Sequence, residues 1–297
     1  MGRRFCVGDI HGCYDELMTV LDNCNFSESD ILYSVGDFTD RGKQNVKVLD
    51  FLMGLSNFKP CVGNHDLWNY EHLHPAIAWE KDIELPNDAG EMIKSHKKGT
   101  RPYMSLEAEK CWYVWNGGRE TLREEADQSQ EWRDKVYNFL KDLPYRINLG
   151  DKIIIHSTCP LDTYRWVDVP LDEITTETLK SSGLIVEDVY DDKVWDRWVI
   201  KGCKDYVQLG NKYPSFDLWA KEKYGAGFTG NPIYIIGHTP LAHPFYDKDL
   251  GIVGIDTGAF CNKKRGWDLE GYLTVLDTDT FEYWTSDSKE KKHLEAT

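Results

Sequence analysis

The chain has 297 residues, enough to bury a sizeable core without disulfide or metal support. Its 35 Lys and Arg against 50 Asp and Glu give a net charge of −15, a field that disfavours general nucleic-acid binding yet leaves room for one local phosphate pocket. No apolar run approaches the roughly 18 residues of a membrane span, and Met1-Gly2 lacks the Ser or Thr at the sixth position that myristoylation prefers, so membrane attachment is not expected. The eight cysteines are scattered without a C-x-x-C pair and no hydrophobic signal segment precedes Phe5, which reads as a reduced, cytoplasmic protein.

The first strand-like run, "FCVGDIHG" (5–12), ends in a polar cluster bounded by glycine. A helix is expected over 15–26, where Leu17, Val20, Leu21 and Cys24 fall at helical spacing. A second run, "ILYSVGDFTDRG" (31–42), ends the same way. It is followed by a helical stripe over 44–55 formed by Val46, Leu49, Leu52 and Met53, and then by a third run, "PCVGNHD" (60–66). Strand, helix, strand, helix, strand is the order of a βαβαβ unit.

Three later runs repeat the pattern: "KIIIHS" (152–157), "IYIIGHT" (233–239) and "IVGIDTGA" (252–259). Open α/β sheets gather ligands at the carboxyl ends of their strands, so the polar clusters are expected to converge. The chain reads as a single domain over 1–285, with insertions at about 67–140 and 160–231 that carry most of the eleven tryptophans and form a cover over the site. Residues 286–297, "SDSKEKKHLEAT", are charged and aperiodic and read as a loose tail.

The strand-end clusters offer Asp9, His11, Asp37, Asn64, His156 and His238, a mixed nitrogen and oxygen donor set of the kind that holds transition metals without thiolate. Asp9 and His11 are two residues apart, so their side chains leave an extended backbone on the same side. Singly, each of these residues is as well explained as a turn, a cap or a hydrogen-bonded histidine. Six donors at the ends of five strand-like runs, in a chain with nine histidines, point instead to metal. His72 and His74 in "EHLH" diverge at i and i+2 of a helix and are not read as a further metal site.

"GDIHG" (8–12), "GDFTDRG" (36–42), "GNHD" (63–66), the later His156 and "GHT" (237–239) resemble, in order and spacing, the PPP-type phosphoprotein phosphatases of the calcineurin-like metallophosphoesterases. "GCYDEL" (12–17), "WNGGRETL" (115–122), "FLKDLP" (139–144), "VWDRW" (195–199) and "IDTGA" (255–259) resemble the bacterial and phage branch and its diadenosine tetraphosphate-cleaving relatives. Two departures are Asp66 where the family usually has Glu, and "STCP" where small residues usually follow the third metal histidine.

The resemblance implies an α/β fold with a central β-sandwich flanked by helices, covered by helical insertions. It implies two divalent ions, Mn²⁺ first with Fe or Zn as alternatives, one held by Asp9, His11 and Asp37 and the other by Asp37, Asn64, His156 and His238. Asp37 would bridge them, since two cations so close need an anion between. His65 would be the general acid, Asp40 its carboxylate partner, and Arg41 and Arg197 the phosphate-binding arginines beside Asn64.

The expected activity is removal of phosphate from phosphoserine and phosphothreonine in proteins, or from small phosphoesters, by attack of a water shared between the ions. Hydrolysis of diadenosine tetraphosphate is the alternative within enzymes. A non-catalytic scaffold on the same fold ranks below both, because every ligand and the acid histidine are retained.

Overall fold

The structure is a computed structural model that describes residues 2–73, 112–113, 116–156, 175–177, 232–248, 251–261 and 270–296. The N-terminal half runs β1 (Arg4–Val7), α1 (Tyr14–Asn23), β2 (Ile31–Ser34), α2 (Asn45–Gly54), β3 (Phe58–Pro60) and α3 (Asn64–His72). It continues through α4 (Gly118–Ala126), α5 (Gln130–Lys141), β4 (Arg146–Asn148) and β5 (Lys152–Ile155). Then come β6 (Ile233–Ile236), β7 (Phe245–Asp247), β8 (Ile252–Gly254), β9 (Thr274–Asp277), β10 (Glu282–Thr285) and β11 (Ser288–His293).

Two mixed sheets result: a six-stranded sheet in the order β11-β10-β9-β1-β2-β3 and a five-stranded sheet in the order β4-β5-β6-β8-β7. Each has a block of three parallel strands, β1-β2-β3 at one end of the first sheet and β5-β6-β8 in the middle of the second, with the remaining strands antiparallel. Leu276, Cys6 and Tyr33 are register partners across the first sheet; Ile154, Ile235 and Val253 are partners across the second. Both rows belong to one buried cluster, so they are the facing inner surfaces of a sandwich. The alternate residues Phe5, Val7 and Leu32 point the other way and pack with Leu17, Val20 and Leu21 of α1 and Val48, Leu49 and Leu52 of α2.

The second helix lies within a residue of its expected termini, the first starts at Tyr14 but ends at Asn23, three residues short of the expected 26, and the βαβαβ order holds. The third strand is displaced: it ends at Pro60, where the expected run begins, because its hydrogen bonds to β2 start at Phe58. Residues 286–297 are not a loose tail, since Ser288–His293 pairs with β10 as an edge strand. Its side chains are largely exposed on both faces, so no apolar alternation marks it, and its lysines suit an edge that must not recruit other chains. Among the described residues no helix is long and apolar enough to cross a membrane.

Candidate metal centre

Asp9 and His11 follow β1, Asp37 follows β2, Asn64 opens α3 just beyond β3, His156 follows β5 and His238 follows β6. The six residues are buried together where the two blocks of parallel strands end. Their loops are held in costly backbone conformations: His11, Asp37, Asp40, Arg41 and His238 all have φ between 46° and 74°, and they make up five of the seven non-glycine residues with positive φ among those described. Each such residue costs on the order of 1–3 kcal/mol and persists only where its surroundings fix it.

Hydrogen bonds between loops do that fixing. Ile10 and His11 N–H both donate to the Asp37 carbonyl at 3.0 Å, and Gly42 N–H donates to the His11 carbonyl at 3.0 Å. The third loop is tied in by Asp66, whose Oδ2 accepts from the N–H of Asp37 at 2.7 Å and of Gly63 at 2.9 Å, while Oδ1 accepts from Phe38 N–H at 3.0 Å. Only glycine fits at 63, because a Cβ there would lie 2.1 Å from Asp37 Oδ1. Asp66, noted in the sequence only as a shortened acid, is thus the clamp between two motif loops.

The histidine rings are aimed by their outward nitrogens. His11 Nδ1–H donates to the Thr39 carbonyl and His156 Nδ1–H to the Val35 carbonyl, each at 2.8 Å, which turns both Nε2 atoms inward. His156 Nε2 then lies 2.9 Å from Asn64 Oδ1, 3.1 Å from His238 Nδ1 and 3.4 Å from Asp37 Oδ2. On the other side His11 Nε2 is 3.6 Å from Asp37 Oδ2 and 4.0 Å from Asp9 Oδ2. Two groups of ligand-type atoms, His11 with Asp37 and His65, and Asp37 with His156 and His238, each converge within 4.8 Å, and Asp37 belongs to both. Nitrogen and oxygen acceptors crowded face to face in this way fit divalent cations.

The electrostatics agree. Burial, reinforced by the neighbouring Asp256 carboxylate, pushes Asp9 well above the usual carboxylate range. Burial likewise raises Asp66 to about 7 and Asp256 to about 6, with the charge of Asp37 adding to both. Asp37 moves the opposite way: burial opposes its charge, but His156 and His65 hold it well below the usual range. His156 is pulled down by burial and lifted by Asp37 more strongly, to about 10, so positive charge is favoured among these acids.

Beside this cluster His65 Nδ1 lies 2.6 Å from Asp40 Oδ2, and its Nε2 is 3.1 Å from Arg41 Nη2 and 3.9 Å from Asp37 Oδ2. A guanidinium has no acceptor, so Nε2 accepts from Arg41 and the ring proton sits on Nδ1, donated to Asp40. The Arg41 guanidinium also lies 4.4 Å above the Phe260 ring and donates to Asn116 Oδ1 at 3.4 Å. Sequence reasoning gave no role to Asp66, Asn116 or Phe260; the "WNGGRETL" stretch carries Asn116, and Phe260 lies one residue past the quoted "IDTGA". Arg197 lies outside the described residues.

The chain matches the family model described as calcineurin-like phosphoesterase over residues 3–184. It is 39% identical over 94 residues to the symmetrical bis(5'-nucleosyl)-tetraphosphatase of Buchnera aphidicola subsp. Baizongia pistaciae, covering 31% of this chain and 32% of that protein. It is 51% identical over 61 residues to serine/threonine-protein phosphatase 2 of Salmonella typhimurium, covering 20% of this chain and 28% of that protein. The matched stretches thus span about a third or less of these curated relatives. The crystal structure of the cold-active protein-tyrosine phosphatase of a psychrophilic Shewanella superposes with a TM-score of 0.55 at 14% identity, covering 99% of this chain and 81% of that one, a likeness of fold alone. With the family model spanning more than half of its length, this chain belongs to the calcineurin-like phosphoesterase family.

Proposed function

We propose that this centre hydrolyses phosphomonoesters, with phosphoserine and phosphothreonine in proteins as the first substrate class and small phosphoesters accepted as well. The observation that carries the reading is the buried Asp40–His65 pair, set beside Arg41 at the edge of the ligand cluster. Asp9, His11 and Asp37 would hold one divalent ion and Asp37, Asn64, His156 and His238 the other, with Mn²⁺ first and Fe or Zn as alternatives. When bound, such ions supply Lewis acidity toward phosphoryl oxygens and lower the pKa of the attacking water.

The chain's own residues do the rest. Arg41 grips two phosphoryl oxygens with its planar fork, helped by Asn64 and, in this reading, Arg197. The water oxygen forms its bond to phosphorus as the bond to the leaving oxygen breaks, and that bonding pair stays with the leaving oxygen. His65 delivers a proton to it from Nε2, while Asp40 holds the Nδ1–H and fixes the ring. Because Arg41 donates to His65 Nε2 at rest, drawing the guanidinium onto phosphate frees that nitrogen to take up the proton it will deliver. The products are the alcohol and inorganic phosphate.

A second reading, cleavage of a dinucleoside tetraphosphate, is favoured by the names of several of the similar relatives. Retention of every ligand speaks against a scaffold without activity. The free thiols of Cys6, Cys24 and Cys61 suit a reducing cytoplasm. Mn²⁺-loaded protein assayed on a phosphopeptide panel and on diadenosine tetraphosphate decides the substrate: phosphate release from peptides supports the first reading, and dominant release of ADP replaces it with the second.

A further inference from the structure

We propose that Trp112 and Thr121, contributed by the cover insertion, are positioning residues that lock the Asp40 carboxylate and through it the proton-delivering orientation of His65. This rests on the assignment of His65 as proton donor. Asp40 is fully buried and has φ 74°, a backbone conformation that persists only where the surroundings fix it. Asp40 Oδ2 accepts from His65 Nδ1–H and also from the indole Nε1–H of Trp112, both at 2.6 Å. The Thr121 hydroxyl donates to Oδ1, and the Asp40 backbone N–H donates back to that hydroxyl at 3.0 Å. Both carboxylate oxygens and the backbone are therefore held by one segment far along the chain.

The segment is built for that contact. An indole N–H only donates, and Trp112 is buried, so without an acceptor this side chain would cost more than an apolar ring of similar size. Its place against α4 exists because residue 118 is glycine: a Cβ there would lie 2.4–2.6 Å from the indole atoms Cε2, Nε1 and Cδ2. Gly117 of the same turn accepts the Arg41 N–H at 3.3 Å, and Asn116 accepts from the Arg41 side chain. Trp112 and the following "NGGRET" (116–121) thus set both neighbours in "DRG", Asp40 through Trp112 and Thr121, and Arg41 through Asn116 and Gly117. A carboxylate shared among these donors cannot rotate, and an imidazole bound to a fixed carboxylate keeps Nε2 on the leaving oxygen.

The test separates lost proton delivery from general damage by varying the leaving group. Turnover of phenyl phosphate needs a proton on the departing oxygen, whereas dinitrophenyl phosphate departs as a stable anion without one. In Mn²⁺-loaded protein, Thr121→Val and Trp112→Phe are each expected to lower kcat on phenyl phosphate about tenfold and on dinitrophenyl phosphate less than about threefold, with KM little changed. Thr121→Ser, which keeps the hydroxyl, should restore kcat. His65→Asn in the same series is the reference. If it shows the split and neither cover variant does, or if the cover variants lose both substrates equally, the positioning role is overturned and the acid assignment stands. If His65→Asn shows no split, the acid assignment falls and the positioning role with it. Thr121→Val exchanges a hydroxyl for a methyl of the same shape, so it carries the test even if Trp112→Phe fails to fold.

Discussion

Arg41 Nη2 donates to His65 Nε2 at 3.1 Å, which joins the side chain assigned to grip phosphate directly to the one assigned to deliver the proton. The guanidinium is held in this place by the Phe260 ring beneath it and by Asn116. Arg41→Ala removes a bidentate phosphate contact, so kcat should fall at least about a hundredfold and inhibition by inorganic phosphate should weaken about tenfold. Steady-state kinetics with phosphate as competitor reads both; unchanged phosphate inhibition would remove Arg41 from the site.

Asp40→Asn replaces a carboxylate that accepts on both oxygens with an amide that accepts on one. Turnover should drop about 10²–10⁴-fold, because the ring is no longer held in the right tautomer and orientation. Metal content, measured by elemental analysis after gel filtration, should stay near that of the unaltered protein. A large loss of metal would show that Asp40 acts on the ligand loops instead.

Asp66→Ala strands three buried backbone N–H groups, those of Asp37, Phe38 and Gly63. Unfolding in urea should reveal a loss of about 3 kcal/mol, accompanied by weaker metal binding because the Asp37 loop is no longer clamped. Native stability in the variant would mean that the other loop bonds suffice.

Glu125 gives a pH dependence with a definite sign. It is buried on α4, accepting from Asn69 Nδ2 at 2.9 Å, and burial raises it from 4.5 to about 8. Its folded pKa lies above its unfolded one, so the native state binds the extra proton between pH 4.5 and about 8. Stability from this group is complete below that window and is lost as pH rises through it, by ~5 kcal/mol at most. Glu125→Gln should flatten the decline of thermal stability between neutral and mildly alkaline pH; parallel curves for the two proteins would refute the buried proton.

Much of the candidate site was legible because its proposed ligands follow strands. Asp9, Asp37, His156 and His238 each come directly after a short apolar run, and short buried strands announce themselves by composition. Asn64 and His65 were legible as a motif, although they open α3 and are not loop residues. What escaped were contacts made across long sequence separations. Trp112 and Thr121 reach Asp40 over 72 and 81 residues, and no local pattern tells a tryptophan that packs from one that donates to a carboxylate. Asp66 was visible as an acid, but its partners are backbone N–H groups 28 and 29 residues away, which carry no side-chain signal. The edge strand β11 was missed because an exposed hairpin arm has no buried face to impose alternation.

The central claim is that Asp37, shared by both ligand groups, makes this fold a metal-dependent phosphoesterase. Its most direct test is metal content measured alongside hydrolysis of para-nitrophenyl phosphate in the Mn²⁺-loaded protein and in Asp37→Asn. The account predicts bound metal with turnover in the first, and in the second a loss of metal with turnover reduced at least about a hundredfold. Asp37→Asn that keeps both its metal and its turnover would contradict it.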